Sequence, residues 1–311
     1  MLLTDAVVEL RYAKDWTKES VRWYSGRLKL FIDWAAQQDV TTLEAVTPML
    51  VRRYMAYLQE RPTTTGKPLD SHTVHGHIRI IRTLLFWAAN EELIDESIPR
   101  RIKPPRKEKK VVRVLTPQQI DLLFEAAKRT TAPLRNTAPL RNTALLYLLL
   151  DTGCRASELS GLLMDNVVFE SERAYIIVYG KGRKQRPIRL GKKTRLALAR
   201  YLHRERQAPE TETRVFVGER GPLSAEGLER LLYRLRASAG EDHFTGVPTS
   251  PHRWRHTCAV MKRKAGEDVY TISKGLGHAD ISITANYLKG LLDSEAMELS
   301  VSPLDVMGKR A

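Results

Sequence analysis

Residues 99–110 (PRRIKPPRKEKK) constrain the fold more than any other segment, because they interrupt the chain with prolines and closely spaced basic side chains. Such a stretch is typical of an extended linker, since proline removes a backbone donor and like charges repel. A chain of 311 residues is also long enough for two domains. We therefore predict a first domain over residues 1–100, a basic linker over 101–114 with the boundary near Lys110, and a second domain over 115–311.

The first domain is predicted to be helical. Apolar side chains recur every three or four positions within residues 17–37, 48–60 and 71–90, which is the spacing of an amphipathic helix. Thr17 is the predicted N-cap of the first of these helices, and Pro48 suits the first position of the second. The outer face of the third helix carries side chains that either lie in solvent or contact phosphates: His72, His75, Arg79 and Arg82.

The second domain is predicted to combine helices with a small β-sheet, so that the whole chain is mainly α. Residues 115–119 (LTPQQ) start a helix, whereas residues 174–179, a Gly-Lys-Gly turn and residues 186–190 form a β-hairpin. The hexapeptide TAPLRN occurs twice, at 131–136 and 137–142, and we interpret it as a lengthened loop without chemical importance. Further helices are predicted over residues 142–150, 156–164, 193–206, 224–239, 251–265, 269–276, 282–287 and 291–299.

The charge balance indicates a polyanionic partner. Lysine and arginine number 51 against 36 acidic residues, which gives a net charge of +15. Nucleic acid and an anionic membrane both fit this charge, but we find no hydrophobic anchor and no signal peptide at the start of the chain. The two cysteines, Cys154 and Cys258, are too few for a disulfide framework, so we expect buried thiols in a reducing, cytoplasmic setting.

Four segments of the second domain concentrate the residues that phosphodiester chemistry requires. Attack at phosphorus builds negative charge on the non-bridging oxygens, and the bidentate guanidinium groups of Arg155 and Arg255 suit that charge. Lys181, in the Gly-Lys-Gly turn, is a candidate proton donor to the departing oxygen. The other candidates are His252 as proton acceptor, His278 as hydrogen-bond donor to the phosphate and Tyr287 as nucleophile. A zinc site at His252 and His256 is disfavoured, because neighbouring arginines would repel a cation.

In this order and spacing the residues resemble the tyrosine recombinase and phage integrase family, including its Xer-type members. Residues 152–159 (TGCRASEL) look like the first arginine box of the family and residues 251–257 (PHRWRHT) like its second. Residues 276–278 (LGH), with Tyr287 nine positions after His278, look like the third box. The resemblance covers nearly the whole chain, although the N-terminal signals are weaker than those of the second domain.

The resemblance implies a helical, SAM-like core-binding domain and an α+β catalytic domain that form a C-shaped clamp around double-stranded DNA. It implies cleavage and rejoining through a 3′-phosphotyrosine without metal, ATP or another cofactor. The catalytic residues would be Arg155, Lys181, His252, Arg255, His278 and Tyr287, with Glu158 as support for Arg155. Further DNA contacts are expected from Arg79, Arg82, Lys103, Arg106, Lys107, Arg183 and Lys184.

The resemblance also implies assembly. Four copies would act together on two DNA sites in the nucleoid, with the amphipathic segment at residues 291–299 docking on a neighbouring copy. Two alternatives remain open: a DNA-binding accessory factor without catalysis, and an enzyme like type IB topoisomerases, which shares the tyrosine chemistry but relaxes DNA. The DNA target and the biological task, whether integration, transposition or resolution, do not follow from the residues.

Overall fold

A computed structural model describes residues 1–14, 16–63, 66, 68–108, 113–129, 138–171, 173–180, 184–218 and 221–288, apart from the side chains of Lys18, Glu19 and Asn286. The chain divides into two compact units, residues 1–110 and 111–311. Most of the described chain is helical and the sheets are small, which confirms the predicted mainly α fold class. In the described part of the chain, no helix has the length and apolar character needed to cross a membrane.

The first unit is a helical bundle whose predicted helices are confirmed. Its helices are α1 (Leu3–Ala13), α2 (Lys18–Ala36), α3 (Pro48–Glu60), α4 (Ser71–Asn90) and α5 (Ser97–Arg101). The side chains of Thr17 and Thr47 accept hydrogen bonds from the first turns of α2 and α3, which fixes where these helices begin. Helix α1 was not predicted; it buries Leu3, Ala6 and Leu10 in the core of this unit.

The start of the linker is helical rather than extended, so the prediction of an extended segment from Pro99 onward is wrong there. Helix α5 includes Pro99 because it occupies the first turn, where a missing backbone N–H breaks no helical hydrogen bond. The following residues run along α4: His72 Nε2 lies 3.1 Å from the carbonyl oxygen of Glu108, and His75 Nδ1 lies 3.0 Å from that of Pro105. Both histidines therefore hold the linker backbone.

The second unit surrounds the site with helices and a three-stranded sheet. Its elements are α6 (Pro117–Lys128), α7 (Pro139–Thr152), α8 (Ala156–Ser160), β1 (Val167–Phe169), β2 (Ala174–Tyr179), β3 (Gln185–Arg189), α9 (Lys192–Arg204), β4 (Val217–Gly218), β5 (Gly221–Pro222), α10 (Ala225–Ala239), α11 (Pro251–Lys264), α12 (Val269–Leu276) and α13 (Ile281–Leu288). Helix α8 is shorter than predicted: it ends at Ser160, and Met164–Asn166 form a separate 3-10 turn. The amphipathic segment at residues 291–299 and residues 131–137 of the hexapeptide repeat lie outside the described residues, whereas residues 138–142 of the repeat are described.

The sheet confirms the predicted β-hairpin and extends it by one strand. Strands β1, β2 and β3 are antiparallel in that order, with Ile176 of β2 opposite Val167 and Ile188. Alternate residues of β2 are buried against the core of the unit, where Trp254 of α11 is fully enclosed. Both cysteines are free and buried, as predicted.

Candidate active site

The predicted catalytic residues come from four places in the second unit. Arg155 directly precedes α8, His252 and Arg255 lie on α11, His278 follows α12, and Tyr287 lies on α13. Ser250 caps α11 by accepting the N–H of Arg253, and Pro251 occupies the first position of that helix. Lys181 and Arg183 lie outside the described residues.

Arg255 is buried and is held by two helix ends. Its Nη1 donates to the carbonyl oxygen of Gly153 at 2.8 Å, and its Nη2 donates to that of Leu276 at 2.5 Å. These carbonyls close α7 and α12, where the aligned peptide dipoles are negative. Burial, followed by repulsion from Arg155, lowers the pKa of Arg255 from its ordinary value, while the Tyr287 hydroxyl and Glu158 act in the opposite direction. The side chain is fixed before any substrate arrives.

Arg155 lies nearer the surface and is oriented by Glu158. Its Nη1 donates to Glu158 Oε1 at 2.8 Å, and its backbone N–H donates to Oε2 at 2.8 Å. A third, longer contact of 3.5 Å joins Nη2 to the carbonyl oxygen of Gly277. The side chain of Arg155 is 42% exposed, so its remaining donors are open to a ligand.

Arg186 of β3 also binds Glu158, and it was not predicted as a site residue. Its Nη1 and Nη2 each donate to a different oxygen of Glu158 at 2.8 Å, and its Nε donates to the carbonyl oxygen of Gly275 at 3.1 Å. Its position at the end of the basic segment 180–186 was the only sign of this in the sequence. The partners lie 28 positions apart, so spacing gives no indication that they meet.

Glu158 is therefore an ionised group inside the protein. Burial by itself would raise the pKa of this carboxyl, but hydrogen bonds from Arg186 and from the Arg155 N–H, together with both positive charges, lower it to about 2. Because a buried ion pair is stable only when its remaining lone pairs are also satisfied, the four hydrogen bonds to Glu158 account for its burial.

His278 packs against the ring of Tyr287 and is close enough to Arg255 and Arg155 for their charges to act on it. Its Nδ1 is 2.7 Å from the Thr284 hydroxyl oxygen, whereas its Nε2 is buried without a hydrogen-bond partner. Burial and then the charges of Arg255 and Arg155 lower its pKa to about 4, so the ring is neutral near pH 7. If the Thr284 hydroxyl donates to Nδ1, the proton of the neutral ring sits on Nε2, where it can be donated to an anion.

Tyr287 is enclosed by three imidazole rings and is only 7% exposed. Its ring centroid lies 5.0 Å from that of His278, 5.7 Å from that of His252 and 3.6 Å from that of His256. His256 lies nearest, although the sequence singles it out only as half of a disfavoured zinc pair. Its Nε2 is 3.0 Å from Nε2 of His252, so the two rings are hydrogen-bonded to each other.

The predicted DNA-contacting side chains that the structure describes differ in their surroundings. Arg79 is exposed and stacks over Trp23, whereas Arg82 is half-buried and its Nε contacts the carbonyl oxygen of Pro99 at 3.4 Å. The remaining four are exposed: Lys103, Arg106, Lys107 and Lys184. Because these side chains are exposed, their charges can contact a polyanion.

Taken together, the second unit places the phenol of Tyr287 beside the guanidinium group of Arg255 and three imidazoles with lowered pKa values, and the charge of Arg155 acts on Arg255. This arrangement suits an oxyanion next to a nucleophile, because the cations stabilise charge and the imidazoles exchange protons. Residues 113–291 match the sequence model of the phage integrase family, and residues 5–104 match that of the phage integrase SAM-like domain. The chain belongs to the phage integrase family.

Curated relatives of this family cover nearly the whole chain. It is 30% identical over 292 residues to tyrosine recombinase XerC of Bacillus licheniformis, covering 92% of this chain and 90% of the relative. It is 28% identical to tyrosine recombinase XerC of Bacillus subtilis, covering 89% of this chain and 88% of the relative.

Solved structures of the family share the fold at low sequence identity. A lambda integrase dimer bound to a core site matches with a TM-score of 0.70 and 17% identity, covering 93% of this chain and 94% of that one. The XerH recombinase bound to a palindromic difH substrate matches with a TM-score of 0.70 and 18% identity, covering 91% and 79% of the two chains. These likenesses support the fold class predicted from the sequence.

Proposed function

We propose that this chain is a tyrosine recombinase that performs site-specific DNA recombination with Tyr287 as its nucleophile. The observation that carries the assignment is the enclosure of the Tyr287 ring by imidazoles, directly beside the buried Arg255. A tyrosine that only filled the core would need neither a fixed cation nor neutral proton acceptors around it. The two family matches, one for each unit, support the same activity.

The proposed reaction is a transesterification. The hydroxyl oxygen of Tyr287 attacks the phosphorus of a DNA phosphodiester, the bond from phosphorus to the 5′-oxygen breaks, and a 3′-phosphotyrosine forms. The phenolic proton passes to His252, and the leaving 5′-oxygen receives a proton from Lys181. Attack by a 5′-hydroxyl from another strand reverses these steps, so the phosphodiester energy is kept and rejoining needs no ATP.

The cationic groups have separate tasks in this scheme. Arg155 and Arg255 bind the non-bridging oxygens, and His278 donates a hydrogen bond from Nε2 to the same phosphate. Glu158 does not face the phosphate: all four of its hydrogen bonds go to Arg155 and Arg186. Its task is to orient Arg155 before the substrate binds.

Binding along the duplex is assigned to basic side chains of both domains. We assign phosphate contacts to Arg79, Arg82, Lys103, Arg106, Lys107, Arg183 and Lys184, with residues 1–100 as the core-binding domain, 101–114 as the linker and 115–311 as the catalytic domain. The active assembly is a tetramer on two DNA sites in the cytoplasm, joined through the segment at residues 291–299.

A suicide-substrate experiment tests the assignment. Duplexes bound by the purified full chain are selected from a randomised library, and each is then prepared with a nick beside the expected cleavage position, so that the short 5′-hydroxyl strand is lost after cleavage. A covalent protein–DNA adduct is expected for the wild type and not for Tyr287→Phe. Tyr270→Phe, at a tyrosine of α12 that is 62% exposed, is the matched control and should form the adduct normally.

Strand exchange separates the proposed activity from its alternatives. Two labelled duplexes of unequal length should give chimeric products with the wild type. Relaxation of supercoiled DNA without chimeric products would assign the chain to a topoisomerase-like activity instead. An adduct that persists in Tyr287→Phe would overturn the choice of nucleophile.

A further inference from the structure

His256 contacts both of the groups that would exchange the nucleophile's proton, although the proposed mechanism gives it no task. It lies one helical turn after His252 on α11, and the two Nε2 atoms are 3.0 Å apart. Its ring lies 3.6 Å from the Tyr287 ring between centroids, at an interplanar angle of 31°. It is 6% exposed, so these neighbours enclose it.

We propose that His256 is a positioning residue that fixes the Tyr287 ring and accepts a hydrogen bond from His252 once His252 holds the tyrosine's proton. The inference rests on the proposed function, because it gives His252 the proton of Tyr287. His256 acts through His252 and Tyr287 and does not itself contact the DNA.

The number of N–H groups and lone pairs on the two imidazoles supports this assignment. A neutral imidazole carries one N–H and one lone pair, whereas a protonated imidazole carries two N–H groups and no lone pair. When His252 is protonated, its Nε2 can therefore only donate, and Nε2 of His256 has to accept. The N–H of His256 then sits on Nδ1, which is buried without a partner. His256 is thus a neutral acceptor in the protonated pair.

The surroundings make such an acceptor necessary. Burial, followed by the charge of Arg255, lowers the pKa of His252, so this residue releases a proton readily. Burial and then the charge of His252 lower the pKa of His256 to about 3, so the shared proton stays on His252. The charged and titratable groups that act on the pair from the elements around it are Arg155, Arg253, Arg255, His278 and Tyr287. Within the described part of the chain, none of these groups is a carboxylate that could stabilise an imidazolium.

Two substitutions distinguish the hydrogen-bond acceptor of His256 from the packing of its ring against Tyr287. His256→Gln keeps a hydrogen-bond acceptor at a similar distance along the side chain, whereas His256→Phe keeps an aromatic ring against Tyr287 and removes the acceptor. The first measurement is an NMR titration of the His252 ring in the full chain without DNA. We expect His256→Phe to lower the midpoint by about one pH unit and His256→Gln to leave it near the wild-type value. Thermal unfolding of each variant shows that it is folded.

The second measurement is the rate of adduct formation on the nicked duplex as a function of pH. Because His252 must be deprotonated to accept the phenolic proton, the rate rises as His252 loses its proton. In His256→Phe this rise should move to lower pH by the same amount as the midpoint, with a plateau roughly tenfold lower, since a weaker base accepts the proton less well. His256→Gln should restore the pH at which the rate rises, and any loss of its plateau measures the contact with the Tyr287 ring that glutamine cannot make.

The outcomes distinguish this inference from the function on which it rests. An unchanged His252 midpoint in a folded His256→Phe variant would overturn the inference even if the wild type forms the adduct. An equal loss of rate at every pH in both variants would mean that His256 acts only by packing. This result would also overturn the inference. A shifted midpoint in a chain that forms no adduct on any selected duplex would support the histidine pairing and contradict the proposed function.

Discussion

Arg186 and Glu158 form a bidentate ion pair, with both nitrogen–oxygen distances at 2.8 Å and the side chain of Glu158 only 2% exposed. Arg186 lies on β3, five positions after Lys181 in the sequence, and Glu158 lies on α8, three positions after Arg155. Through its Nε, Arg186 also binds Gly275 near the end of α12, just before His278. The pair therefore joins β3 to α8, and the Nε contact of Arg186 adds the end of α12, directly before residues 276–278.

Replacing Arg186 should destabilise the second unit and slow cleavage together. Arg186→Gln leaves the buried charge of Glu158 without its main partner, and removing one member of a buried ion pair costs about 3–5 kcal/mol. We expect a loss of that size in the free energy of unfolding, measured by urea denaturation, and a clear fall in adduct formation because Arg155 loses its orientation.

A double-mutant cycle checks that the loss comes from this pair. Adding Glu158→Gln to Arg186→Gln removes the uncompensated charge, so the double variant should be more stable than the sum of the single changes implies. Arg195→Gln, at a surface arginine whose Nη1 binds the carbonyl oxygen of Ser171, is the control and should change stability by much less. Additive effects of the two site substitutions would contradict the coupling.

Acid should unfold the second unit over a defined range of pH. The pKa of Glu158 is lowered from 4.5 to about 2 in the folded chain, so its ion pairs stabilise the fold above about pH 4.5. This stability is lost as the pH falls towards about 2, and the shift corresponds to about 3 kcal/mol at most. Glu158→Gln should flatten the dependence of unfolding free energy on pH between 5 and 2, as followed by circular dichroism in urea. An unchanged slope would show that other carboxyls dominate acid unfolding.

Local signals in the sequence predicted most elements, because a few adjacent residues suffice to start or end a helix. Thr17 and Thr47 cap α2 and α3 through contacts within three positions, and both helices were predicted. Helix α1 was not predicted, and no capping side chain marks its start, since Leu2 at the N-cap position makes no cap hydrogen bond. The tasks of Arg186 and His256 depend on packing between elements, which periodicity does not report.

Gly277 should tolerate a side chain poorly. Its φ of 69° lies in the left-handed region, and an added Cβ would lie 2.8 Å from Nη1 of Arg186. Gly277→Ala should therefore lower the free energy of unfolding by about 1–2 kcal/mol and displace Arg186 or His278, with slower adduct formation. Gly275→Ala is the matched control, since Gly275 is helical and its Cβ would meet nothing within 4 Å. Equal stability of the two variants would contradict the close approach.

Arg79 should contribute one phosphate contact to DNA binding. The logarithm of the association constant for B-DNA falls with the logarithm of salt concentration, by about 0.9 for each phosphate that the protein neutralises. Arg79→Gln should reduce that slope by about 0.9, measured by fluorescence anisotropy across a salt series. Arg100→Gln is the control, because Arg100 is already paired with Glu96 at 2.9 Å. An unchanged slope in Arg79→Gln would remove this residue from the DNA-binding surface.

Thr284 should matter for cleavage although it does not face the phosphate. Its hydroxyl oxygen lies 2.7 Å from Nδ1 of His278, and the side chain is fully buried. Thr284→Val keeps the shape but removes the donor, so the proton of neutral His278 is no longer held on Nε2. Adduct formation should then fall roughly tenfold, which corresponds to about 1.4 kcal/mol of lost transition-state stabilisation.

Thr284→Ser restores the hydroxyl and should recover most of the rate, which distinguishes orientation of His278 from packing of the methyl group. Because the hydrogen bond acts on the transition state, the affinity for an uncleaved duplex should remain the same in all three proteins. A Thr284→Val variant that cleaves at the wild-type rate would mean that His278 either keeps its proton on Nε2 without this hydroxyl or donates nothing to the phosphate.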